Sequence, residues 1–191
     1  MAVNQAAKFF PYLETAGLWL RRETPEDAKA VFAIFADPKV TQFHDLNPFV
    51  RVEEAARLIE QRSRDFSAQR RIRWGIAFKQ NNYLIGSAGF TWKENNGAEV
   101  GYELASQFWR QGVMSEALAA ILRYGFAERG LDFFVAEVML ENVASKKLLE
   151  KLGFRSQKVL LGRGFWQGKY HDLELFKLTR NNFNNFNKIS T

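Results

Sequence analysis

The chain has 191 residues, a net charge of +6, 47% hydrophobic and 25% charged residues, and no cysteine. That length suits one domain able to bury roughly 70% of its unfolded surface without a metal or disulfide staple, and the composition excludes wholesale disorder. The missing cysteines exclude disulfide scaffolds, thiolate zinc sites and cysteine nucleophiles, while the positive surplus favours anionic partners such as phosphates, RNA or acidic proteins. No apolar run approaches the roughly 18 residues of a membrane span. Met1 to Tyr12 carries Lys8 and Pro11 without a long apolar core and makes a poor signal peptide. The expectation is a cytoplasmic protein with no membrane association.

Leu18-Trp19-Leu20 reads as a short strand. Thr24-Pro25-Glu26-Asp27 then starts a helix, with Thr24 as cap and acids at the positive end of the dipole. Ala28, Val31, Phe32 and Phe35 follow at helical spacing, and the helix should stop before Pro38. A second helix is predicted over Val52 to Phe66. Strand-like runs occupy Arg73 to Lys79, Tyr83 to Trp92 and Ala98 to Leu104. Asn81-Asn82 and Asn96-Gly97 supply the hairpin signals between them. A long helix over Val113 to Arg129 closes at Gly130, and Phe133 to Leu140 is a buried strand. Asn142 caps a helix from Val143 to Leu152. Lys158 to Leu161 and Tyr170 to Leu178 are the last strands, across a loop containing Gly162, Gly164 and Gly168. The helix between Ala98–Leu104 and Phe133–Leu140 implies a right-handed crossover between parallel strands. The meander before it should be antiparallel. The fold class is thus α/β with a mixed sheet covered by helices. Residues 1–17 form an N-terminal extension, 18–180 the domain, and 181–191 an Asn-rich tail expected to fray.

The segment with chemistry in it is Trp109-Arg110-Gln111-Gly112-Val113-Met114-Ser115-Glu116-Ala117, between a strand and a long helix. A turn there aims backbone N–H groups outward from a helix N-terminus, which suits a pyrophosphate. Gly112 allows close backbone approach and Arg110 adds charge; an ordinary strand-to-helix loop is the alternative. Gly162 to Tyr170 has neither P-loop nor GxGxxG spacing. His44 and His171 are far apart and lack HExxH context, so no metal site is expected. His171-Asp172 are strand neighbours that point to opposite faces, so a structural role is expected of them.

Taken in order, AEVGYELASQFWRQGVMSEAL (98–118), FVAEVMLENVASKKLLEKLGF (134–154) and GKYHDLELFKL (168–178) resemble the GNAT superfamily of acyl-CoA N-acyltransferases, nearest its RimJ/RimL-type ribosomal-protein N-terminal acetyltransferases. The likeness runs from about Leu18 to Leu178. It implies a splayed central sheet with acetyl-CoA in the cleft between Ala98–Leu104 and Phe133–Leu140. Backbone of Tyr102, Glu103 and Leu104 would pair with pantetheine. Amides of Arg110, Gln111, Gly112, Val113, Met114 and Ser115 would hold the pyrophosphate, and Asn142 would contact pantetheine while capping its helix. Trp109 and Met114 depart from the general superfamily turn, although the RimJ/RimL branch accepts Trp at the first.

The resemblance further implies direct attack of an amine on the thioester. Glu137 and Glu99, one on each cleft strand, are the candidate general bases; a rim salt bridge and a sheet-face ion pair are their structural alternatives. The position at which RimI-type relatives carry a proton-donating Tyr is Leu149, so Ser115 is the candidate acid. Phe43, His44, Asp45, Phe49, Phe165 and Trp166 are placed near the acceptor. That acceptor is expected to be a protein N-terminus, a ribosomal protein's among them, or else a small amine such as a polyamine, amino sugar or amino acid. A non-catalytic CoA- or RNA-binding module is the reading of another class. Arg62, Arg64, Arg70, Arg71 and Arg73 form a basic cluster that would face ribosomal RNA or be a solvated face. A homodimer is a further expectation from the resemblance.

Overall fold

A computed structural model describes residues 9–166 and 168–183. The sheet begins with β1 (Leu13–Glu14) and β2 (Leu18–Arg21). Thr24 N–H donates to Asp27 Oδ2 at 2.8 Å and starts a 3-10 turn over Pro25–Asp27, which continues into α1 (Ala28–Ala36). Helix α1 ends before Pro38 as the sequence predicts. Pro38 then opens a further short helix, α2 (Pro38–Thr41), whose cap is Asp37 Oδ1 accepting from Lys39 N–H. Proline suits the first turn of a helix because it has no N–H to satisfy there. Helix α3 (Val52–Ser67) leads to β3 (Arg71–Phe78), β4 (Leu84–Lys93) and β5 (Gly97–Leu104). Helix α4 (Val113–Ala127), β6 (Phe133–Met139), α5 (Val143–Lys151), β7 (Arg155–Trp166) and β8 (Lys169–Thr179) complete the order.

The strands form one mixed eight-stranded sheet, β1-β2-β3-β4-β5-β6-β8-β7. All neighbours are antiparallel except β5 and β6, the pair joined through α4. Helix α4 lies over one face, where Trp74, Phe90, Val100, Leu118, Ile121 and Phe134 make the main core. Helices α1 and α3 cover the other face, with Phe35, Ile59 and Leu84 buried between them. Residues 9–17 dock on this body: Phe10 packs on Phe66 and Trp74, and Trp74 Nε1 donates to Pro11 O. Among the described residues no helix is long and apolar enough to cross a membrane. The expectation of a frayed tail falls, from residue 184 onward, outside the described residues.

Two local readings shift. The β4–β5 turn is made by Asn95 and Asn96, at φ 55° and 56°, rather than by Asn96-Gly97. Asn tolerates the left-handed region well enough to serve there. Gly97 is needed for another reason: a Cβ on it would stand 2.2 Å from the Phe133 ring, where β5 and β6 first meet. The glycine loop expected between the last two strands is instead mostly strand. Strand β7 runs through Gly162 and Gly164 with a bulge, Asp172 Oδ1 accepts from Gly162 N–H, and the Trp166 ring fills the space beside Gly164.

Candidate functional site

The site follows from how β5 and β6 part. They pair only at Gly97–Phe133, Ala98–Phe134 and Glu99–Val135. Beyond that, β5 stays on β4 as far as Leu104–Gly86, and β6 stays on β8 as far as Met139–Leu173. A wedge therefore opens inside the sheet. Ala105 N–H donates to Ile85 O and Asp132 N–H to Asn96 O. By strand alternation, odd-numbered β5 residues turn their main-chain groups to β4 and even-numbered ones to the β6 side. Tyr102 and Leu104 thus present main-chain groups to the gap. Leu104 O also accepts from Trp109 Nε1 at 2.8 Å. The main chain of Glu103, expected beside them, is turned to β4 instead. An extended, amide-bearing ligand could pair with such an edge, because open strand groups need partners.

The N-terminus of α4 lies at the wide end. Arg110 and Gly112 have φ of 62° and 82°, and the first helical bond runs from Glu116 N–H to Gly112 O. The N–H groups of Val113, Met114 and Ser115 precede that bond and have no partner within the helix. A Cβ on Gly112 would meet nothing within 4 Å, so glycine is there for its backbone angle. The Val113 and Met114 side chains go into the core, which leaves the turn lined by backbone. Arg110 and Gln111 are exposed, and Ser115 is half-buried. On the far side of the gap, Asn142 Oδ1 caps α5 by accepting from Ser145 N–H at 3.0 Å, leaving its amide N–H groups unused by the cap. The turn, the helix end and the open edge of β5 fit a diphosphate joined to an amide-containing arm.

The carboxylates sit on the face away from α4. Glu99 pairs with Lys93 at 2.5 Å, and Glu137 accepts from Arg163 Nε and Nη2 at 3.0 and 3.2 Å. Burial on β6 alternates, with Phe134, Ala136 and Val138 in the α4 core and Glu137 opposite. Both predicted bases are therefore brought to one face of the wedge, and both are ion-paired. Arg163, in the stretch expected to be loop, gave no sequence signal.

Deeper on that face lies a polar network that sequence reasoning missed. Glu103 Oε1 accepts from Arg62 Nη2 at 2.8 Å and from Ser87 Oγ, and Oε2 accepts from Arg73. Arg62 Nη1 donates to Glu23 Oε1 at 2.6 Å. Burial would push the Glu103 carboxyl up, but the Arg73 and Arg62 guanidiniums beside it, with His44, hold it well below the usual range. His44 lies between Asp45, at 3.2 Å, and Glu103, at 3.7 Å. Burial opposes its charge, yet the two carboxylates win and raise it to about 9. Such a network survives burial only because each charge has opposite charges bonded to it.

This arrangement corrects the basic cluster: Arg62 and Arg73 point inward to Glu103, and Arg70 is bonded to Asp65. The five arginines do not make one surface. Phe49 stacks on Phe35 at 5.0 Å as part of the α1 layer. His171 stacks on Trp166 at 4.0 Å with its Nε2 against Trp166 O, while Asp172 binds Gly162; the adjacent pair has the structural role expected of it.

The family model described as Acetyltransferase (GNAT) domain matches residues 17–155. Over 173 residues the chain is 35% identical to the uncharacterised N-acetyltransferase YoaA of Bacillus subtilis (strain 168), covering 90% of this chain and 98% of that protein. Among solved structures it resembles a GNAT-family acetyltransferase from Bacillus anthracis, with a TM-score of 0.80 at 21% identity over 90% of this chain and 99% of that one. It also resembles RimL, a ribosomal L7/L12 α-N-protein acetyltransferase solved with coenzyme A. There the TM-score is 0.79 at 24% identity, over 88% of this chain and 98% of that one. At these identities the structural likeness is one of fold.

Proposed function

The chain belongs to the GNAT acetyltransferase family, and on that premise we propose that it acetylates the α-amino group of a protein N-terminus from acetyl-CoA held in the β5–β6 wedge. Acetyl-CoA, when bound, supplies an acetyl group activated as a thioester. The amides of Val113, Met114 and Ser115, with the turn Arg110 to Gly112, hold the diphosphate. Main-chain groups of Tyr102 and Leu104 pair with the pantetheine amides, and Asn142 has amide N–H groups free to join them. Glu99 and Glu137 face the side from which an amine approaches, and one of them accepts its proton.

The observation that carries this reading is the placing of both carboxylates, Glu99 and Glu137, on one face of the wedge. An α-amino group with pKa near ~8 is partly neutral at working pH and asks less of a base. A lysine-like amine near ~10.4 would need more help.

Titration calorimetry with acetyl-CoA, desulfo-CoA and ATP tests the donor. Micromolar binding of both CoA compounds and little of ATP is expected; no heat with acetyl-CoA removes the assignment. Release of CoA thiol in the presence of N-terminal peptides, polyamines and amino sugars then tests the acceptor. Glu99→Gln or Glu137→Gln should lower kcat by roughly 10²-fold. If both variants turn over normally, neither glutamate is the base.

A further inference from the structure

The hairpin of β7 and β8 sorts its charges by face. Strand β8 pairs with β6 without a register shift from Leu173 to Thr179, so its alternate residues belong to opposite faces of the sheet. Even-numbered Asp172 and Glu174 take the side of α4 and α5, where Phe176 and Leu178 enter the α4 core and Glu174 pairs with Lys146 of α5 at 3.2 Å. Odd-numbered Lys177 takes the side of Glu137, and its Nζ lies 4.3 Å from the centre of the Phe133 ring. Directly paired residues share a face. The pairing of Arg155 with Lys177 and of Lys158 with Leu175 therefore puts both cations on the Glu137 side, where Arg163 already binds Glu137. The hairpin's acids lie on one face and four of its cations on the other.

That cationic face is open. Helix α3 packs on β3 and α1 on β4, away from this arm of the sheet, and Arg155, Lys158 and Arg163 are exposed. Among the described residues no carboxylate forms an ion pair with Arg155, Lys158 or Lys177, and the two wedge carboxylates are already held by Lys93 and Arg163. Charge on an edge strand guards it against pairing with another sheet. Such guarding explains charge on β7, but neither its single sign on this face nor Lys177, which is on an interior strand.

Resting on the α-amino reading just given, we propose that this face selects acceptor polypeptides whose residues shortly after the reacting amine are acidic. Strands lie about 4.8 Å apart, so Lys158, two strands from Glu137, is about 10 Å away across the sheet. An extended chain rises about 3.3 Å per residue. With the amine at Glu137, its third to fifth residues would pass over Leu175 to Lys158 and come within reach of Lys177 and Arg155. Acidic side chains there supply the partners these cations lack, and basic ones are repelled. An RNA strand would meet the same charges but would bring no amine to the wedge, and the face is continuous with the wedge.

Peptides that share their first two residues and carry acidic, uncharged or basic side chains at the third to fifth positions test this with the full chain, with release of CoA thiol as the readout. The acidic peptide should have a kcat/KM about tenfold above the uncharged one, and the basic peptide should fall below both. The difference should lie in KM, because charges remote from the reacting atoms hold ground and transition states alike. It should shrink between about 0.05 and 0.5 M salt as exposed charges are screened. Arg155→Glu combined with Lys158→Glu should reverse the order of the acidic and basic peptides, whereas Lys151→Glu, exposed at the end of α5, should keep it. Equal kcat/KM for all the peptides in the wild type would overturn this inference and leave the α-amino reading standing; an RNA oligonucleotide bound by the face in that case would make it a nucleic-acid surface. Acetylation of none of them, with acetyl-CoA bound, would remove the α-amino reading and this inference together.

Discussion

His44 shows how one side chain reports on its surroundings. Its imidazole is about a quarter exposed, between the carboxylates of Asp45 and Glu103, and titrates near 9 instead of 6.5. A raised pKa means that the folded state holds the proton more tightly than the unfolded chain does. The resulting stabilisation is complete below about pH 6.5 and is lost as pH climbs through about 9. It amounts to no more than about 3 kcal/mol. Urea unfolding of wild type and His44→Gln at pH 6, 7.5 and 9.5 would measure it. The wild type's advantage should be largest at pH 6 and nearly gone at 9.5; a constant difference would mean that His44 contributes through packing alone. Glu103 is the partner that makes this possible. It also shows what strand periodicity leaves open: the residue lies in the stretch expected to line the cofactor cleft, yet its carboxylate serves two buried arginines on the opposite face.

Among the elements, the turn into α4 and the wedge beside it carry the proposed site. Gly112 and Gly130 both have positive φ, and a Cβ at either would meet nothing within 4 Å. Alanine at each should therefore cost a similar amount, about 1–2 kcal/mol of backbone strain. Only the first lies at the helix end assigned to diphosphate. Gly112→Ala should weaken CoA binding at least tenfold by calorimetry, while Gly130→Ala, matched in stability loss, should leave it within twofold. Equal effects would place the diphosphate elsewhere. The wedge itself comes from competition between partners. Beyond Glu99 and Val135, β5 and β6 each keep an antiparallel neighbour, and the twist of the sheet carries the two apart.

For the molecule as a whole, the wedge divides a single sheet into two arms that share only three residue pairs at the seam. A ligand that pairs with β5 and contacts α5 ties the arms together and binds the native state alone. At 100 times its dissociation constant it should add about 2.7 kcal/mol, or roughly 5–10 °C in Tm for a chain of this size. Differential scanning fluorimetry with acetyl-CoA should show that rise, and ATP at the same concentration should not. A rise equal for both would indicate a generic anion effect on a protein with a charge of +6.

The order of the main strands and helices, the parallel crossover and the glycine-led turn into α4 were legible in the sequence, because each rests on local chemistry. Periodic apolar residues, Thr24 and Asn142 as caps, and a glycine before a helix act over a few residues. So was the family, through motifs such as AEVGYEL and WRQGVMSEAL. Partnerships across the chain were not. That Arg62 and Arg73 turn inward to Glu103, that Arg163 reaches Glu137, and that Tyr102 meets Ser145 are contacts between residues 26 to 43 positions apart. Tertiary packing selects such pairs by burial, since a charge or hydroxyl removed from water must take whatever partner the fold brings within reach. The sequence by itself determined the fold and which stretch of chain could meet a diphosphate. Packing in three dimensions alone set which carboxylates lie at the wedge on the face away from α4, which are committed to buried ion pairs, and which hydroxyl stands across the wedge from them.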